Sequence, residues 1–288
     1  MSELSQILTK TNIVISLGRY ELAIKLAQKA LGISPNNPFA YYYLSCANAF
    51  LKNFDEAEKL VKLALSYEPI SENCLLLYCI IMLATKQYTK AIEKADEMLK
   101  INPQNANAMY YKGSSYEKIK KYKEAGFWIK QALQINPNDS SFHLKLADIY
   151  SDTNQKEFAK REYLEALKFD PNNSSSLNNY GMHLLKYNWY SKNGLQLLKS
   201  SLQNTPNDKN VIDNYETFLF IQKIPKACLK AFFSFKNFLI ICILVLLYYF
   251  YPKDFIGIII STIFCLILYI IVLIPVSLIF AKNNKIAK

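Results

Sequence analysis

Asn136-Pro137-Asn138-Asp139 is a polar four-residue turn that recurs in this chain as Ser34-Pro35-Asn36-Asn37, Asn102-Pro103-Gln104-Asn105 and Asp170-Pro171-Asn172-Asn173. The prolines Pro35, Pro69, Pro103, Pro137 and Pro171 stand 34 residues apart. Ala23, Ala57, Ala91, Ala125 and Ala159 keep the same step, as do Leu31, Leu65, Leu99, Leu133 and Leu167. One period shared by three residue types marks a structural unit stacked on copies of itself. A sixth copy follows one residue late, with Leu202 and Pro206 each 35 after their counterparts.

Local chemistry fills the unit. The residue before a proline is pushed out of the α region, so helices ending near Leu31 or Leu133 stop there. Asn, Asp and Ser in the turn then cap the next helix by accepting from its free N–H groups. Between turns, apolar residues recur at helical spacing: Met109, Lys112, Gly113 and Tyr116 line one helix, and Ala125, Ile129, Ala132 and Leu133 the next. Two antiparallel helices per repeat is the simplest arrangement. Small residues mark where they cross: Ser45, Cys79, Gly113, Ala147 and Gly181 on the first, and the alanine series on the second. A bulky group at such a crossing would overpack it by roughly 1–3 kcal/mol. Tyr20, Phe54, Tyr88 and Tyr122 mark the bend between the helices.

Met109-Tyr-Tyr-Lys112-Gly113-Ser-Ser-Tyr116, followed by Ala125 and Pro137, resembles the tetratricopeptide repeat (TPR). So do His143-Leu-Lys-Leu146-Ala147-Asp-Ile-Tyr150 and Leu177-Asn-Asn-Tyr180-Gly181. The resemblance covers about residues 4–208 and implies an all-α superhelix of helix-turn-helix units. The repeats fall at about 4–37, 38–71, 72–105, 106–139, 140–173 and 174–208, within a region 1–208. Repeat one departs most in its first helix, with Lys10 at an apolar slot and Thr11 at the small one, and repeat six carries its insertion around Asn188–Gly194. Val211, Ile212, Tyr215, Leu219 and Ile221 predict a capping and juxtamembrane helix over 209–230, since a solenoid needs its last face covered.

The C-terminal third has a different composition. Asn237–Tyr251 is apolar and uncharged, and Phe255–Ala281 is a second charge-free run of 27 residues. At 1.5 Å per residue the second reaches about 40 Å, enough to cross a ~30 Å hydrocarbon core with tilt. The first needs extension back toward Phe232, with Lys236 snorkelling to the headgroups. A transmembrane hairpin over 231–251 and 255–281 is therefore predicted, turning at Tyr251-Pro252-Lys253-Asp254. Of the net charge of +11, +7 lies in residues 223–288, where eight lysines face Asp254 alone. Lys223, Lys226, Lys230 and Lys236 precede the first crossing and suit anionic headgroups. Lysines on both outer flanks place the repeat domain and both termini in the cytoplasm of a bacterial-type inner membrane. The first ten residues carry Glu3 and no apolar core, so no secretory signal is expected there.

Neither enzyme nor nucleic-acid binding is indicated. The repeat region holds 26 basic and 22 acidic residues with no basic stripe. Six cysteines occur without a CxxC pair and read as small reduced thiols. His143 and His183 lie in different repeats with no ligand-spaced partner, and no phosphate loop or nucleophile elbow is present, so no cofactor or metal is expected. Runs such as Glu93-Lys94 and Lys160-Arg161-Glu162 read as solvated faces.

What the resemblance implies is binding. In the family the first helices line a concave groove, which here carries over to Phe39, Tyr42, Tyr43 and Phe50 in repeat two. Asn73, Leu76 and Leu77 follow in repeat three, Asn107, Tyr110 and Tyr111 in repeat four, and Asn178 and Asn179 in repeat six. Tyrosine offers contact area at low entropy cost, and asparagine can hydrogen-bond an extended backbone. The expected partner is a protein or peptide; alternatively Leu76–Leu83 is covered by a neighbouring helix or by a second subunit, which would make a homo-oligomer. Co-chaperone members grip a C-terminal carboxylate with Lys, Asn and Arg. The matching places here hold Leu8, Asn12, Tyr43, Asn73 and Leu77, so that ligand is not expected. The resulting expectation is a membrane-anchored scaffold, or else an assembly or regulatory subunit of a membrane enzyme or a secretion or pilus apparatus that docks through its hairpin. The topology is testable with a thiol reagent that cannot cross membranes. It should label Lys253→Cys and spare Lys288→Cys in intact cells, and the opposite pattern would reverse the orientation.

Overall fold

The computed structural model describes residues 2–188 and 190–223. The predicted crossings at 231–251 and 255–281, with Lys226, Lys230 and Lys236, lie outside the described residues. Among the described residues no helix is long and apolar enough to cross a membrane. Residues 1–215 form one compact unit.

Among the described residues there are thirteen α-helices and no strand: α1 Glu3–Ser16, α2 Tyr20–Ile33, α3 Pro38–Phe50, α4 Phe54–Tyr67, α5 Glu72–Ala84, α6 Tyr88–Ile101, α7 Ala106–Lys118, α8 Tyr122–Ile135, α9 Ser140–Asp152, α10 Lys156–Phe169, α11 Ser174–Tyr187, α12 Lys192–Asn204 and α13 Lys209–Lys223. Each odd helix through α11 packs on the even helix after it, and from α2 to α10 each even helix packs on the next odd one.

The turns carry out what their residues dictate. Asn37 accepts from Ala40 N–H at 3.0 Å and Asn105 from Ala108 N–H at 2.9 Å. Asp139 accepts from Ser141 and Phe142, and Asn173 from Ser176. Inside repeats one to five a second turn recurs. Gly18, Lys52, Lys86, Lys120 and Asn154, each 34 residues on, all have φ between 58° and 70°. The next residue reaches back five places to a carbonyl, as Lys121 N–H does to Tyr116 O at 2.9 Å. This is the Schellman closure, which satisfies carbonyls at the helix end. In repeat six the inserted residue lengthens α11 to 14 residues and ends it at Asn188 in extended conformation.

The small slots sit at the crossings. Ser45, Cys79, Gly113, Ala147 and Gly181 are buried, as are the alanines from Ala23 to Ala159. Ser45 Oγ donates to Ala57 O at 2.7 Å, and Cys79 Sγ lies 3.6 Å from Ala91 O. A Cβ on Gly113 would stand 3.1 Å from Ala125 O and 2.8 Å from Ile129 Cδ1. In repeat six, Gly194 takes the alanine slot, and a Cβ on Gly181 would stand 2.9 Å from its carbonyl. Cys46, Cys74 and Cys79 are free and buried, and burial pushes the Cys46 thiol up to about 11.

The run Lys160-Arg161-Glu162 is not uniformly solvated. Lys160 and Arg161 are exposed, but Glu162 is buried. It lies three residues past Ala159 and four before Ala166, within the inward stripe of α10.

Glycine-to-alanine changes should therefore differ by repeat. Gly181→Ala meets a backbone carbonyl and should cost about 1–3 kcal/mol. Gly113→Ala meets chiefly the Ile129 side chain, which can shift, and should cost less. Ala125→Leu should destabilise like an overpacked core, whereas the exposed Lys123→Leu should stay within about 0.5 kcal/mol. Thermal unfolding followed by circular dichroism checks the order, and equal effects at crossings and at Lys123 would refute the crossing geometry.

Candidate functional site

The packing order separates an inner layer from an outer one. Each odd helix touches the next odd helix: α1 meets α3, α3 meets α5, and so on to α9 with α11. Among the described residues no even helix packs on another even helix. Helices that approach one another lie inside a curved stack, and those that splay lie outside. The first helices therefore line the inner surface.

The residues expected on that surface separate by slot. Phe39, Asn73 and Asn107 occupy one slot and are all exposed, Phe39 by 52%. Tyr42, Leu76 and Tyr110 are half-buried. Tyr43 and Tyr111 are also half-buried, whereas Leu77, in their slot, is buried among Tyr78, Ile81 and Met82. Tyr42 and Tyr43 stand 5.4 Å apart, ring to ring, and Tyr110 and Tyr111 5.1 Å. Tyr110 also stacks on Phe142 at 5.2 Å. Tyr111 packs beside Leu75, Cys79 and Met98, and burial pushes its hydroxyl up to about 12. Phe50 is exposed but turns one face to Tyr20, at 4.7 Å and nearly parallel.

Phe39 and Tyr43 meet at one cavity. About 420 Å³ opens between α1 and the start of α3, walled by Leu4, Leu8, Thr9 and Asn12 on one side and by Phe39 and Tyr43 on the other. No charged side chain is among its walls. The neighbouring helices continue the pattern, since α3 carries no charged residue and α5 only Glu72.

The other half of the surface is ionic, which the sequence reading missed. Lys145 Nζ lies 3.0 Å from Glu117 Oε2 on the preceding repeat. Asp148 accepts from Tyr163 O–H at 2.9 Å and from Asn179 Nδ2 at 3.0 and 3.1 Å. Asn178 accepts from Asn214 at 3.0 Å and donates to Asn179. Asn178 and Asn179 are thus brought together and held by their own chain. Burial raises the Asp148 carboxyl, against the pull of Lys145, Tyr163 and Asn179. Burial works to lower Lys145, but the carboxylates of Glu117 and Asp148 outweigh it and hold the ammonium above its ordinary value. The signal was available. Lys145 shares a slot with Tyr43, Leu77 and Tyr111, and Asp148 with Cys46, Ile80 and Ser114, so each is charged where other copies are not.

Among the described residues no group of three or more His, Cys, Asp or Glu is placed to hold a metal ion. The arrangement presents side chains for contact, neutral and aromatic at one end and hydrogen-bonding at the other.

Comparison with known proteins follows the repeat register. A tetratricopeptide repeat model matches residues 12–37 and 140–173, and a model of anaphase-promoting complex, cyclosome, subunit 3 matches 50–132. A TPR repeat-containing protein of Methanocaldococcus jannaschii is 31% identical over 172 residues, 55% of this chain and 30% of that protein. The type IV pilus assembly protein PilF of Pseudomonas aeruginosa is 31% identical over 106 residues, 36% of this chain and 42% of its own length. Lipopolysaccharide assembly protein B of Haemophilus influenzae is 30% identical over 151 residues, 49% and 38% respectively. The chain thus spans less than half the length of these relatives. The Pseudomonas pilF structure superposes with a TM-score of 0.60 at 19% identity, over 75% of this chain and 96% of that one. A Parabacteroides merdae tetratricopeptide repeat protein gives 0.66 at 14% identity, over 75% and 84%. One matched segment, 140–173, runs from the first residue of α9 to the turn before α11, the same unit that the 34-residue period marks out, and the chain is a member of the tetratricopeptide-repeat family.

Proposed function

We propose that the chain is a scaffold that holds a protein or peptide partner on the inner face of its first helices. One observation carries the reading: the uncharged cavity at α1 and α3, where exposed Phe39 and half-buried Tyr43 face a wall of Leu4, Leu8 and Asn12. Such a cavity suits an apolar or aromatic side chain, with Asn12 and Thr9 left to hydrogen-bond the partner's backbone. Tyr42, Tyr110 and Asn107 extend the contact along the stack, with Leu76 between them, and Asn73 lies at the rim. Asn178 and Asn179 act there through the polar network that orders them. Leu77 supports this surface from below, and Phe50 contributes its open ring face at the edge.

Anchoring at a membrane is the finer part of this proposal. It rests on the charge-free runs Asn237–Tyr251 and Phe255–Ala281 and on the lysines flanking them, Lys223 among those before the first. The scaffold would then stand on the cytoplasmic side of a bacterial-type inner membrane. Two relatives bear names of assembly, of a pilus and of lipopolysaccharide, which favours a second reading as an assembly or regulatory subunit docked through the hairpin. Replacing 231–281 by an unrelated anchor separates the readings: a groove scaffold keeps its partner, and a hairpin-docked subunit loses it.

Binding energy concentrates in a few anchors, and truncating one costs about 2 kcal/mol or more, some thirtyfold in affinity. Phe39→Ala with Tyr43→Ala should therefore abolish recovery of crosslinked partners from cells, while circular dichroism and membrane fractionation stay unchanged. A folded double variant that still recovers every partner would move the site off this surface.

A further inference from the structure

His143 occupies a place whose chemistry another repeat defines. In repeat two the same slot holds Tyr41, whose hydroxyl donates to Pro35 O at 3.0 Å and whose ring stacks on Tyr67 at 5.7 Å. In repeat five, His143 Nε2 lies 2.9 Å from Pro137 O and its ring stacks on Phe169 at 5.6 Å. Each of these residues is 102 positions on from its counterpart, three whole repeats. The carbonyl only accepts, so Nε2 carries a proton.

The other ring nitrogen settles the charge. Nδ1 lies 2.8 Å from Glu162 Oε2, and the second oxygen of Glu162 accepts twice from Arg161, at 2.9 and 3.1 Å. A carboxylate in that position accepts from both sides. With an acceptor at each nitrogen, the ring must donate from both and be an imidazolium. Repeat two has Leu60 where Glu162 stands, repeat four pairs Met109 with Trp128, and repeat six pairs Leu177 with Leu197. A contact that is apolar in those copies is ionic here.

We propose that His143 is a proton-dependent latch that fastens the turn between repeats four and five to α9 and α10. The groups facing the ring are consistent with a held charge. From α10 they are Glu162, Arg161 behind it, and Glu165, which is itself paired with Lys168. In the turn, the Asp139 carboxylate is occupied by Ser141 and Phe142. From α8, Lys130 lies over Tyr150 at the far end of α9, and from α11, Lys186 reaches Ser151 O. The hydrogen bond to Glu162 raises His143 above its ordinary value near 6.5, against the opposing effect of burial. Glu162 is drawn below its ordinary 4.5: burial opposes this, but His143 and Arg161 outweigh it.

The sign follows. The histidine's contribution is complete below about pH 6.5 and is lost as pH rises through its raised folded value. The glutamate's contribution is complete above about pH 4.5 and is lost as pH falls through its lowered one. The latch is thus fully closed between those limits; it opens on the alkaline side as His143 loses its proton and on the acid side as Glu162 gains one. Lys145 and Asp148 sit two and five residues further along α9, so an open latch would also loosen the links to Glu117 and Asn179. That consequence rests on the groove reading, whereas the latch itself does not.

The test compares the full chain with His143→Tyr plus Glu162→Leu, which installs the repeat-two pair. The unfolding midpoint of the parent relative to this variant should fall as pH rises from 6 to 9, and His183 drops out of the difference because both chains carry it. Proton–nitrogen NMR of the parent should show both His143 nitrogens protonated at pH 6. Glu162→Gln should lower the pH at which His143 titrates, a readout available even if the double variant does not fold. An unchanged midpoint difference across that range, or a neutral His143 ring at pH 6, would overturn the latch.

Discussion

Two helix backbones approach so closely in each repeat that the crossing admits only a small side chain, and in two repeats only a glycine. Ser45 Oγ rests on Ala57 O, Cys79 Sγ on Ala91 O, and glycines stand where the approach is tightest. The rest of the stack depends on this contact. It sets the angle of each pair, and the pair sets where the next first helix can lie. A single methyl group matters because a packed interior cannot flow around it. Repeat six shows the constraint from the other side: with an inserted residue altering its turn, the crossing uses glycine on both helices, Gly181 and Gly194.

The same contact makes the inner surface. Because, among the described residues, first helices touch one another and second helices do not, the first helices expose a continuous strip built from side chains of several repeats. Its character then depends on which residue each copy places at two or three slots. Repeats two and three spend those slots on Phe39, Tyr42, Tyr43 and Leu76, with no charge between them. Repeat four keeps Tyr110 and Tyr111 there, while repeats five and six bring Lys145 and Asn179, with Asp148 three residues on from Lys145; Lys145 pairs with Glu117 and Asn179 with Asp148. One end of the strip can exclude water from an apolar group. The other can only exchange hydrogen bonds.

The sequence made the helices and their crossings legible because these depend on residues that must recur. Proline, alanine and the small slot keep step over five copies, and a periodic signal survives substitution elsewhere. The ionic half was hidden for the converse reason. Lys145 and Asp148 break the pattern of their slots, and a reading guided by what repeats passes over what does not. Glu162 was misplaced by its neighbours, since Lys160 and Arg161 are solvated and only helical phase turns the third residue inward. Leu77 shows the limit of slot-by-slot transfer: Tyr43 and Tyr111 are long enough to emerge from their slot, and a leucine there stays in the core.

Repeat five departs most from the others, and it does so consistently. His143 with Glu162, Lys145 with Glu117, and Asp148 with Tyr163 and Asn179 replace contacts that elsewhere are largely apolar. Buried ion pairs seldom add net stability over a well-packed apolar pair, because desolvation offsets most of their attraction. What they add is dependence on having every partner in place. Removing one leaves a charge stranded at a cost of about 3–5 kcal/mol, whereas a lost methyl costs far less. The pairs of repeat five reach back to α7 through Glu117 and forward to α11 through Asn179. This unit is therefore tied to both neighbours by polar contacts as well as by packing, and those contacts hold only while every partner is in place.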